Sequence, residues 1–134
     1  DQIPYDPDYY FYGEELSLML RAFTRNFGIF HLPAVPIFHL YRDIVEVKRK
    51  LHWDDSEDRN REIKWHEREE RSINKLNNLI NNEIDGAFGL GNKRTLKEYE
   101  YISGVDLINK KVIDKEKAFT GNFISSLPWD NAIF

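Results

Sequence analysis

The apolar period of this chain changes at Gly13, and that switch constrains the fold more than any other feature. Before it runs an aromatic tetrad, Tyr9-Tyr10-Phe11-Tyr12. Such a run suits a short buried strand or a turn. After it, Leu16, Met19, Leu20 and Phe23 recur at helical spacing and define one apolar face. Glu14 and Glu15 fall in the first turn of this helix and Arg21 and Arg25 near its end, so both charge types complement the helix dipole. Gly28 is the expected stop. Upstream, Pro4 and Pro7 make residues 1–8 an extended loop, Asp6-Pro7-Asp8 included.

Further signals divide the rest. Ile29–Leu32 reads as a short strand and Ala34–Leu40 as a second extended piece, interrupted by Pro33 and Pro36. Asp54, Asp55 and Ser56 are candidate caps for a long charged helix over 54–85. Its apolar side would be Ile63, Trp65, Ile73, Leu76, Leu79, Ile80 and Ile84, with Arg, Lys and Glu on the solvated face. Asp85 and Gly86 close it. Gly86, Gly89 and Gly91 form a flexible turn, and Thr95 with Glu98 has capping-box spacing for a helix from about Leu96 to Ile102. Gly104 stops that helix. In the last thirty or so residues, Phe119, Phe123, Trp129 and Phe134 are the expected anchors.

Composition narrows the function classes. Nine Phe, seven Tyr and three Trp in 134 residues supply core formers that a disordered chain lacks. A net charge of −4 gives no footprint for nucleic acid or for an anionic membrane. The absence of cysteine rules out disulfides and thiolate zinc sites, and fits a reducing compartment. No apolar run reaches the length of a membrane span.

Two features carry candidate chemistry. Glu14 and Glu15 sit where orphan amides stabilise an anion, so one of them can accept a hydrogen bond, or a proton, from a hydroxyl. Glu is favoured in any first helical turn, and that reading stands beside the first. His39 lies among Ile37, Phe38, Leu40 and Tyr41, where a neutral imidazole can ligate a metal or sit as a satisfied boundary residue. His31, His52 and His66 are weaker candidates. GLGNKR, residues 89–94, lacks the spacing of a phosphate loop, so its glycines read as turn formers.

In combination these pieces resemble a known family. Gly13-Glu14-Glu15, Arg21, Gly28, Pro33, Pro36 and His39-Leu40-Tyr41 look like the C-terminal catalytic region of GT-A fold glycosyltransferases. FYGEELSLMLRAFTRNFGIFHLP, HLYRD and GLGNKRTLKEYEYISGVDL together resemble the cytoplasmic (hydroxyproline) N-acetylglucosaminyltransferases, over roughly residues 3–107. The resemblance implies an α/β fold of Rossmann-like GT-A type, helix-rich with a few short strands. Residues 1–42 would hold the catalytic Glu helix and metal His segment, 54–85 the long helix, and 86–134 the Gly turn, short helix and tail.

It further implies a UDP-sugar donor, GlcNAc or a relative, and transfer with retention to a hydroxyl on a protein or glycan. Glu14, and less clearly Glu15, would be catalytic. His39 would ligate a divalent metal, Mn2+ or Mg2+, and Arg21 would brace its helix. A cytoplasmic location comes with the family. No Asp-x-Asp motif in strand context precedes Glu14, so the expected partner is an N-terminal nucleotide-binding half, without which this chain would be inactive. The other reading is a non-catalytic helical interaction module, with Trp53 and Trp65 on its binding surface.

Overall fold

The computed structural model describes residues 3–29 and 51–120, and all structural statements concern these. It is helix-rich. The elements in order are α1 (Glu14–Thr24), α2 (Asp55–Asp58), α3 (Trp65–Ile80), a 3-10 turn (Gly86–Phe88), α4 (Leu96–Ser103), β1 (Val105–Asp106), β2 (Lys111–Val112) and α5 (Lys115–Thr120). The two strands pair antiparallel, Val105 opposite Val112 and Asp106 opposite Lys111. Helices with one small sheet are compatible with an α/β class.

The helix expected after Gly13 forms, and its apolar stripe faces the core. Leu20 and Phe23 are buried, with Leu16 and Met19 packed at the edge. They meet Tyr99 and Ile102 of α4 and Leu107 after β1. The Phe23 and Tyr99 rings contact edge to face at 5.4 Å, the arrangement aromatic quadrupoles favour. A second cluster joins Tyr9 to Leu76 and Leu79 of α3. Leu16, Ile80 and Leu90 touch both clusters, so the two form one continuous core.

Several expectations are corrected. The helix ends at Thr24 rather than at Gly28. Asn26 supplies the left-handed residue (φ 74°) that terminates it, a conformation Asn tolerates. Of the two readings of the Tyr9–Tyr12 tetrad, strand or turn, the turn holds: the Tyr12 amide donates to Tyr10 O at 2.6 Å. The long charged helix is two helices. The Lys64 ammonium donates to the Asp58, Arg59 and Arg61 carbonyls at 3.1, 2.9 and 2.8 Å, taking up the end of α2. The buried Asp58 carboxylate accepts from the Trp65 amide at 3.0 Å, starting α3 afresh. α3 then stops at Ile80, where Asn82 turns left-handed (φ 59°). Phe119 is no anchor, being 79% exposed. Phe123, Trp129 and Phe134 lie outside the described residues, as do Phe30 to Leu32 of the expected Ile29–Leu32 strand and the Ala34–Leu40 segment.

The capping box behaves as its spacing predicts. Thr95 Oγ1 accepts from the Glu98 amide at 3.2 Å, and the Glu98 carboxylate accepts from the Thr95 amide at 2.5 Å. Gly104, at φ 70°, ends α4.

The Gly-rich loop is a clasp on the end of α1. Thr24 Oγ1 accepts from the Gly91 amide at 2.7 Å, and the Thr24 carbonyl accepts from the Lys93 amide at 2.9 Å. Arg25 donates to Gly89 O at 2.9 Å. A Cβ at Gly91 would stand 2.5 Å from the Thr24 carbonyl oxygen, and one at Gly89 2.0 Å from Ile84 O. Glycine at both positions is therefore a matter of space.

Candidate functional site

Glu14 owes its place to Gly13. That glycine is the N-cap of α1 with φ 82°, a left-handed conformation that costs any residue with a Cβ. Its Cα packs into the core, since an added Cβ would meet Leu76 Cδ2 at 3.2 Å and Tyr9 Cε1 at 3.4 Å. The first turn is thereby held against α3. Glu14 is half-buried and Glu15 exposed, as expected of two neighbours that cannot face one way.

One oxygen of the Glu14 carboxylate, Oε2, accepts from the Tyr5 hydroxyl. That hydrogen bond is the main reason the Tyr5 phenol sits above its usual range, helped by desolvation and by the negative charges of Glu14 and Asp6. Tyr5 is itself positioned from both sides. Arg21, 1% exposed, donates to the carbonyl of Pro4 at 2.9 Å. The Lys75 ammonium on α3 bridges Asp6 and Asp8, at 2.8 Å to each. Burial opposes the Lys75 charge, but the hydrogen bonds it donates to these two carboxylates, with their negative charge, outweigh it and raise its pKa. Two anchors therefore fix the loop that carries Tyr5 to Glu14. Arg21 thus ties α1 to the N-terminal loop.

Three residues before Glu14 in the sequence, Phe11 belongs to an aromatic cluster. Phe11 is left-handed (φ 60°) and 63% exposed. A bulky residue holds that conformation only where its surroundings impose it. Its ring lies 5.7 Å from His52 and 5.5 Å from Trp53, and His52 and Trp53 are 4.4 Å apart. Tyr10 also meets His52 edge-on at 5.0 Å, and the Arg68 guanidinium lies 4.0 Å over the Tyr10 ring. The His52 pKa is lowered, first by burial and then by Arg61 and Arg68. The imidazole is thus neutral in the neutral pH range.

The structure brings Glu14 and Glu15 to the start of one helix. His39 lies outside the described residues. Among those residues no group of three or more His, Cys, Asp or Glu side chains could hold a metal ion. His66 is exposed on α3, apart from the stacked rings. Sequence reasoning passed over Tyr5, the Asp6–Lys75 pairing and Phe11. Tyr5 reaches Glu14 only through the path of its loop, and Asp6 and Lys75 are 69 residues apart, so neither had a local signal. The aromatic tetrad was visible, but not its outward-turned Phe.

A family model described as Glycosyltransferase (GlcNAc) matches residues 1–109. Comparison with curated proteins and with solved structures gave no match.

Proposed function

The chain belongs to the Glycosyltransferase (GlcNAc) family, and from that premise we propose that it forms the acceptor side of a metal-dependent enzyme transferring GlcNAc from UDP-GlcNAc to a hydroxyl. The observation that carries this reading is the Glu14 carboxylate, held at the start of α1 with one oxygen on the Tyr5 hydroxyl. Its second oxygen is the acceptor for an incoming hydroxyl. That hydrogen bond orients the nucleophile and raises its electron density as the bond to the sugar forms. Glu15, exposed beside it, contributes negative charge to the same helix start and a second acceptor for sugar hydroxyls.

The Phe11–His52–Trp53 wall supports an acceptor role for this face, since it offers exposed ring surface three residues from Glu14. In this proposal His39 supplies one ligand to a divalent ion, Mn2+ or Mg2+, whose role is to neutralise the diphosphate leaving group. The remaining ligands and the nucleotide site belong to a nucleotide-binding half carrying an Asp-x-Asp motif. The fold of the complete domain is GT-A in this reading, and the family's location, the cytoplasm, is part of it. Among the described residues no helix is long and apolar enough to cross a membrane.

The test is transfer from UDP-GlcNAc by the full-length protein. Glu14→Gln keeps the shape and the Tyr5 contact but removes the charge. It lowers kcat by about a hundredfold or more, with no change in melting temperature. His39→Ala in the same assay abolishes the response to added Mn2+. A Glu14→Gln enzyme with normal kcat would overturn the assignment.

A further inference from the structure

A second feature stands independently of the transfer reading, although Tyr12 and Leu16 of its lining flank Glu14 in the sequence. A one-sided cavity of about 340 Å³ opens where α1, α3, α4 and the β1–β2 hairpin meet. Its walls include Leu16 of α1, Leu76 and Ile80 of α3, Tyr99 of α4, and Leu107 and Val112 of the hairpin. The volume is within the range of small-molecule sites, and the lining has the mainly apolar character of such sites. The hairpin turn brings Lys110 and Lys111 to the same cavity.

These two lysines are exposed, and neither ammonium has an ion-pair partner among the described residues. The nearest candidate is Asp106, cross-strand from Lys111. Its carboxylate is engaged within the turn: Oδ1 accepts from the Asn109 amide and Oδ2 from the Asn109 side chain, both at 2.8 Å. Lys110 is moreover left-handed, at φ 54°. Among the described residues the cavity thus combines mainly apolar walls with two cations that have no ion-pair partner and one carboxylate, Asp106, tied into the turn, which leaves a net positive rim and selects a particular ligand chemistry. An extended peptide would bring an amide and a carbonyl at every residue, more than the few polar side chains of the lining, Asn77 among them, can pair against walls that are otherwise mainly apolar. A hydrocarbon chain makes no such demand, and an anionic end matches the lysines.

We propose that this cavity binds the hydrocarbon chain of an anionic amphiphile, with its carboxylate or phosphate head held by Lys110 and Lys111. Decanoate, decyl phosphate, decanol and inorganic phosphate are the probes, added to the 15N-labelled chain below their aggregation concentrations. Decanoate or decyl phosphate produces saturable shifts at the Leu107, Lys111 and Val112 amides, and whichever binds tighter identifies the head. The double variant Lys110→Gln/Lys111→Gln weakens that binding at least tenfold while its spectrum stays that of the folded protein. Decanol binds at least tenfold more weakly than the better anion. Three results would each sink the proposal. One is the absence of shifts at these amides. Another is decanol binding as tightly as the anions, which would make the cavity a plain apolar surface for another protein segment. The third is inorganic phosphate binding as tightly as the decyl compounds.

Discussion

At the scale of single residues, the glycines and one tyrosine separate two kinds of constraint. Gly13 is needed for its positive φ, Gly91 for the space its missing Cβ leaves against the Thr24 carbonyl. Gly91→Ala forces the clasp loop off the end of α1. We expect a loss of about 2 kcal/mol in denaturant unfolding, with the transfer chemistry of Glu14 untouched because the clasp lies at the opposite end of the helix. Tyr5 is constrained by chemistry instead. Its hydroxyl occupies one Glu14 oxygen, so the carboxylate presents the other in a fixed direction. The Glu helix was legible from Gly13-Glu14-Glu15 and the period that follows. Tyr5 was not, because its partner is reached through a loop whose path is set by Arg21 and Lys75.

At the scale of elements, local signals succeeded where the whole instruction lies within one turn. Thr95 and Glu98 are three residues apart, and the capping box needs nothing else. Thr95→Ala should cost about 1 kcal/mol. The Glu98 pKa is lowered, first by the Thr95 backbone amide and then by its side chain. A depressed folded-state value means the contribution is present above the ordinary carboxylate range and is lost as pH falls through the folded value. Glu98→Gln should therefore flatten the acid limb of a stability–pH curve, measured by urea unfolding between neutral and acid pH. The long charged helix failed for the complementary reason. Its interruption depends on the Lys64 ammonium reaching back to three carbonyls and on Asp58 reaching forward to Trp65. Arg, Lys and Glu between them are good helix formers, so propensity alone runs straight through the break.

At the scale of the whole molecule, the N-terminal loop is tied to α3 by one ion-paired lysine. Asp6 is 3% exposed and Lys75 is its salt-bridge partner. Lys75→Met leaves a buried carboxylate without that partner, and we expect a loss of about 3 kcal/mol, read by thermal or denaturant unfolding. The pH sign follows from the raised Lys75 value. Its contribution is complete below the unfolded lysine pKa of about 10.4 and fades as pH rises through the folded one. The wild type should thus lose stability in strongly alkaline solution, and Lys75→Met should lose less of what remains. In transfer assays the same variant also weakens acceptor use, because the loop that it frees carries Tyr5.

What the sequence determined by itself is what lies within a few residues. The α1 stripe, the acid pair at its start, the Thr95–Glu98 cap and the Gly104 stop all follow from short spacings, since helical geometry brings such residues together wherever the segment lies. The family blocks were legible too, because they are strings of residues, and the match over residues 1–109 bears out glycosyltransferase membership. Tertiary structure alone decided which of these residues meet. It placed Tyr5 on Glu14, turned Phe11 outward against His52 and Trp53, paired Asp6 with Lys75, and opened a cavity between three helices and a hairpin. Each of these joins residues from separate elements. Their contact depends on how the core packs, and no local period records that.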